Sequence, residues 1–199
     1  VSFGHQLSGA FKSILRYVSV STIIYAAANA IRQMYENVVE VNSQMTELKK
    51  VTNETDATYD KFLNNANKKA KELGTTVSDL VASAADFARL GYSMSDAEYL
   101  AEVANVYAVV GDEIESIDTA TKSLISTMVA FKVDANDAMT IVDKFNEVGN
   151  KFAISSGGIG DALERSSASL AAANNTLDQS IALITAANTV VQDADIVGT

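Results

Sequence analysis

No proline occurs anywhere in the 199 residues. Average usage near 5% would place about ten in a chain of this length. Proline locks φ, removes a backbone donor and clashes with the preceding turn, so it is the main interrupter of helices. Its absence leaves long helices unbroken. Together with only 10 glycines, it also withholds the turn residues that a chain of many short strands would need. The expectation is an all-α protein.

A second pattern says how the first helices are built. Val20, Ile24, Ala27, Ile31, Met34, Val38, Val41, Met45, Leu48, Thr52, Thr55, Tyr59, Phe62 and Ala66 alternate steps of four and three, and Leu73 resumes the register after Lys69. A seven-residue repeat of this kind keeps one seam facing a partner helix and implies left-handed coiling. Residues between the seam positions are polar, among them Arg32, Glu36, Glu40, Glu47, Lys49 and Lys50. Unbroken from Val20 to Leu73, the seam would make a rod of about 80 Å. Thr52-Asn53-Glu54-Thr55 is where it can be interrupted, because these residues form helix poorly and cap well. Helices are therefore expected over 10–50 and 55–73, joined either continuously or by a short break there, and preceded by a weakly patterned stretch over 1–13. A seam of this length needs a partner, either the second half folded back or another copy.

From Gly74 onward the chain reads as a series of short capped helices in hairpin-like pairs. Gly74 stops one helix, and Thr76 with Asp79 opens another that runs through Ala88. In Leu90-Gly-Tyr-Ser93, Gly91 can take the left-handed conformation that closes a helix. Ser93 with Asp96 then caps the next, and Tyr92 sits where an apolar residue fixes how the chain enters it. Asp134 with Asp137 and Thr176 with Gln179 repeat the pattern, so the caps at 93, 134 and 176 stand 41 and 42 residues apart, a repeat-like period. Gly111-Asp112 ends the helix from Met94, and Ser155-Ser-Gly-Gly-Ile-Gly160 is expected to be a flexible loop between helices ending near Phe152 and beginning near Asp161. From Ala162 to Ala173 only Leu163 and Leu170 are large and apolar, so neighbouring backbones can approach closely. The expected division is 1–73, a long amphipathic coiled-coil-like segment, and 74–199, a helical-hairpin region. Val1 in place of methionine, and the unpunctuated run Asp195-Ile-Val-Gly-Thr199, read as a piece of a longer protein.

Little in the chain offers chemistry. The formal charge of −10 argues against a nucleic-acid partner, which needs clustered Lys and Arg. With no cysteine, disulfides and thiolate metal sites are excluded. His5 has no acidic or serine companion in reach by sequence and reads as a surface residue. Asp112, Glu113 and Glu115 fit a solvated helix start, where negative charge is favoured. Asp134-Ala-Asn-Asp137 opens like a calcium loop but lacks its glycine and final glutamate, and Gly157-Gly-Ile-Gly160 lacks the Lys-Ser/Thr and preceding strand of a phosphate loop. Ser155 and Ser156 have no activating histidine. No residue is assigned a catalytic, cofactor-binding or metal role, no cofactor is implied, and the chain reads as non-enzymatic.

Residues 17–31 carry no charge between Arg16 and Arg32. A spanning helix needs about 20 apolar residues, and Ser19, Ser21, Thr22 and Asn29 make this run polar as well as short. Packing against another helix is the favoured reading. A membrane-active, pore-forming protein inserting residues 17–31 is the alternative.

Over residues 40–199 the order of these features resembles phage tail tape measure proteins. The order is a long coiled-coil helix, Lys71-Glu-Leu-Gly-Thr-Thr-Val-Ser-Asp-Leu80, Ala84-Ala-Asp-Phe-Ala-Arg-Leu-Gly-Tyr-Ser-Met-Ser-Asp-Ala97, then further capped helices. The resemblance implies a virion or prophage structural protein that lies in the tail tube lumen, sets tube length and scaffolds assembly, after a stay in the host cytoplasm. It implies tail tube and tail assembly chaperone proteins as partners, beside self-association through the N-terminal helix, and it carries over no catalytic residue. A bacterial coiled-coil adaptor or secretion substrate is a third reading that these residues leave open.

Overall fold

The computed structural model describes residues 20–199, and every regular element among them is helical. The elements are α1 (Val20–Val51), α2 (Asp56–Leu73), α3 (Val77–Arg89), α4 (Met94–Val110), α5 (Ile117–Phe131), a 3-10 turn (Ala135–Asp137), α6 (Ala138–Gly149), α7 (Ser156–Ala172), α8 (Leu177–Val191) and α9 (Ala194–Val197). The chain divides into two units, Val1–Asn42 and Ser43–Thr199. In the first, the described residues are the opening turns of α1.

The break between the first two helices falls where the weak helix formers stand. Thr52 turns its hydroxyl back to Leu48 O (2.7 Å) and also bonds the Tyr59 hydroxyl (2.7 Å), competing with the helix ladder as such side chains do. Thr55 then caps α2 by accepting from Thr58 N–H. Lys49 lies over the Tyr59 ring at 4.8 Å, so the two sides of the break are held together by one aromatic side chain.

Beyond α2 the caps do what the sequence expects at three of four places. Gly74 ends α2 with φ +70°. Thr76, Ser93 and Thr176 each accept a backbone N–H of the helix they open. Only Thr176 completes the reciprocal box, with Gln179 reaching back to the Thr176 N–H at 2.9 Å. Asp79 and Asp96 are shorter by a methylene and instead accept from the cap hydroxyls, at 2.6 and 2.7 Å.

The fourth place is a correction. Asp134 and Asp137 make no side-chain cap bond; the chain passes through the 3-10 turn, where Asp137 N–H bonds Asp134 O, and α6 starts only at Ala138. Helix starts thus fall at 94, 138 and 177, and the even spacing of the sequence motif is not kept by the helices. Tyr92, just before the Ser93 cap, packs edge-on against Phe87 of the preceding helix, centroids 6.1 Å apart.

The core lies where α3, α4, α5 and α7 meet. α3 packs along α4, α5 along α7, and α4 along α5, with α2 against α3 and α4. Fully buried Phe87, Leu100, Tyr107, Leu124, Phe145, Ile159 and Leu163 fill it. Polar side chains between these helices pair with one another: Thr75 Oγ1–H donates to Asn105 Oδ1, whose own amide donates to Ala101 O, and Ser83 bonds Thr121.

Candidate association surface

The heptad seam has two fates along α1. Met45 and Leu48 are 6% and 0% exposed, and the register continues through buried Tyr59, Phe62 and Ala66 of α2. Upstream, Ile31 and Met34 are each 68% exposed and Val38 is 67% exposed. Tyr25, Tyr35 and Val39 are exposed too and widen the stripe on one side. Among the polar residues of this stretch, Arg32 pairs with Glu36 at 2.9 Å. Nothing else in the described residues exposes so many large apolar side chains on one helix, and contiguous patches of this kind mark interaction sites.

A second constellation is internal. The run Gly157-Gly-Ile-Gly160, expected as a flexible loop, is the first turn of α7, capped by Ser155 through Gly158 N–H (2.9 Å) and wholly buried. Its glycines are there for close approach. A Cβ on Gly157 would stand 2.4 Å from Glu113 O, and one on Gly160 2.6 Å from the Tyr107 hydroxyl. Tyr107 O–H donates to Ser156 O (2.7 Å), and Asp112 N–H donates to Ser156 Oγ (2.7 Å). Burial, with the Asp161 carboxylate as a lesser cause, pushes the Tyr107 phenol far above its ordinary value, so it serves as a fixed hydrogen-bond donor. Asp112, Glu113 and Glu115 lie in the loop before α5, which is capped by Ser116, and not in the start of that helix. Glu113 takes φ +57° there.

Residues 67–199 match the family described as phage-related minor tail protein. The chain belongs to that family. The matched stretch runs from the last turns of α2 to α9 and contains the whole Tyr107–Ser156–Gly160 constellation. No solved structure matches the chain.

For the tail protein the remaining sequence candidates fall as follows. His5 lies outside the described residues, as does the beginning of the 17–31 run; among the described residues no helix is long and apolar enough to cross a membrane. Asp134 precedes the 3-10 turn and Asp137 ends it, and Asp134, after burial itself, helps raise the Tyr92 phenol above its usual value. Among the described residues no three Asp, Glu or His side chains are grouped so as to hold one metal ion. Sequence reasoning missed two groups that matter: Ser116, which has no acidic residue three positions on to signal a capping box, and Tyr107, whose partner Ser156 is 49 residues away.

Proposed function

We propose that this tail protein is a tape measure: a non-catalytic component that runs in extended helical form inside the growing tail tube, sets its length and scaffolds its assembly. Membership of the minor tail protein family supports a structural role in the phage tail. The observation that carries the finer reading is α1, 32 residues of uninterrupted helix with its apolar seam exposed from Ile31 to Val38. A helix rises a fixed 1.5 Å per residue, so proline-free helix converts residue number into length. The exposed seam supplies the contact through which copies would align as a coiled coil. Burying Ile31, Met34 and Val38 is worth about 1.5–3 kcal/mol each, a gross gain that must offset the cost of association.

The test is an in-frame deletion in the intact phage. Removing residues 25–38, two heptads, keeps the seam in register and shortens a helix by about 21 Å. Tails shortened by that amount, and still assembled, are the expected result. Tails of unchanged length would overturn the ruler reading. Leakage of liposomes by the isolated chain would instead favour the membrane-active alternative.

A further inference from the structure

We infer that the buried part of the heptad seam is a second interface for other copies of this chain, reached when α1 to α4 straighten into one helix. The inference deepens the extended form proposed above and rests on it. Its ground is the register. The steps of four and three that run from Val20 to Leu73 do not stop there. They go on through Leu80, Phe87, Leu90, Met94, Ala97 and Ala101 and end at Ala108. Beyond Leu73 the polar members are Thr76 and Ser83, and Lys69 is the one charged seam residue from Val20 to Ala108.

A hairpin does not require this. Helices on two sides of a turn pack by separate faces, and the turn leaves their phases free. Yet Leu73 and Leu80 stand seven apart across the turn over 74–76, and Phe87 and Met94 stand seven apart across the turn over 90–93. A phase shared over both turns is what one continuous helix would need. Leu90 adds a second sign: it is exposed in the compact fold, though it falls on the seam between buried Phe87 and Met94. No proline stands at either turn or at the break over 52–55, so no junction is barred from helix. Gly74 and Gly91, at φ +70° and +91°, reach helical φ freely.

The two forms compete for the same side chains. Met45, Leu48, Tyr59, Phe62, Leu80 and Phe87 are buried within one chain, and straightening would hand them to a neighbour. Val81, Leu100 and Val103 are buried too but lie off the seam, so a lone chain that straightened would leave both sets in water. Compact packing is therefore the resting state of a single chain. Association changes the balance. Once Ile31, Met34 and Val38 of two copies meet in parallel, each following seam residue faces its counterpart at high effective concentration. The seam then closes turn by turn, and a straight helix from Val20 to Ala108 would be about 130 Å long. Exchange between two packings of one sequence is a recognised class of switch.

The chain has no cysteine, so Met34→Cys, at an exposed seam position, ties two copies by a disulfide that dithiothreitol reverses. Hydrogen exchange of the whole chain is then read at Tyr92, Ser93, Met94 and Ser95. In the compact fold these amides lie in the turn and at the start of α4, where N–H groups have no intrahelical acceptor. In a continuous helix each would bond the carbonyl four residues back. Exchange there is expected to slow by about tenfold or more in the tied pair and to recover on reduction. Proline at the first residue of a helix suits the compact form and bars the straight one. Asp56→Pro and Val77→Pro each place it so, after Thr55 (ψ 156°) and Thr76 (ψ 153°), both already in the extended region that precedes proline. Each should abolish the slowing while the reduced chain keeps its dichroism and Tm, and either variant with a native Tm suffices. Unchanged exchange in the tied pair, or equal slowing in both proline variants, would overturn the inference. Tail length in the deletion phage tests the ruler reading by itself, so the two failures are told apart.

Discussion

Gly157→Ala is the sharpest probe of how the family-matched region holds together. On an exposed helix this change would stabilise by about 1 kcal/mol, since alanine is the better helix former. At 157 the new Cβ would meet three backbone atoms, Glu113 O at 2.4 Å, Asp112 O at 2.7 Å and Glu113 C at 2.8 Å. None is the end of a flexible side chain, so the loop must withdraw by about 1 Å to reach ordinary contact. Withdrawal stretches two bonds that tie the loop to α7: Gly157 N–H to Asp112 O (2.9 Å) and Asp112 N–H to Ser156 Oγ (2.7 Å). Two such bonds are worth about 1 kcal/mol each, and overpacking costs about 1–3 kcal/mol. Set against the helix gain, the net loss is at least about 2 kcal/mol. For a chain of this size that lowers Tm by roughly 4–8 °C, read by thermal and urea unfolding at 222 nm. Gly91→Ala is the contrast: it has open space within 4 Å but φ +91°, so its cost of about 1 kcal/mol is conformational. If Gly157→Ala matched Gly91→Ala or raised Tm, close approach would not be the reason for the glycine.

Three further outcomes follow from named contacts. Thr176→Ala removes the hydroxyl that accepts the Gln179 N–H while the backbone N–H of residue 176 still reaches Gln179 Oε1, and it should cost about 1 kcal/mol, visible as a lower urea midpoint with unchanged slope. Tyr107→Phe leaves Ser156 O without its 2.7 Å donor and should cost about 1–2 kcal/mol while near-ultraviolet dichroism stays native-like. Asp161 has its folded pKa raised, so it favours folding below its unfolded value of about 3.9 and loses that contribution as pH rises through the folded value. Asp161→Asn should therefore raise Tm at pH 7, with the difference from wild type shrinking as pH falls toward 3; a constant difference across that range would refute it.

What could be read from residues alone was whatever is decided within one turn of helix. Gly74, Gly91, Thr76, Ser93 and Thr176 act on backbone groups three or four residues away, and they stand where the sequence puts them. The break over 52–55, one of two joins the residues leave open, is also settled locally, where Thr52 competes with its own helix. The glycine run at 157–160 was misread because its reason lies elsewhere in the chain, in the carbonyls of Asp112 and Glu113 and the hydroxyl of Tyr107. By themselves these glycines look flexible; packed, they are among the most buried residues present. Asp134 and Asp137 show the reverse error: a good cap pattern overridden by a 3-10 turn. The seam shows a different limit. Its period is the same at Ile31 and at Leu48, so spacing predicts an apolar face but not whether the same chain covers it.

That uncovered half bears most directly on the account, and the molecular mass of the whole chain in solution tests it. Sedimentation equilibrium should show concentration-dependent oligomers across the micromolar range for the wild type. Met34→Glu/Val38→Glu places charges on the exposed seam and touches no buried residue, so it should sediment as a monomer with unchanged helicity and Tm. A wild-type chain that stays monomeric throughout, or a double variant that associates just as the wild type does, would contradict self-association through α1.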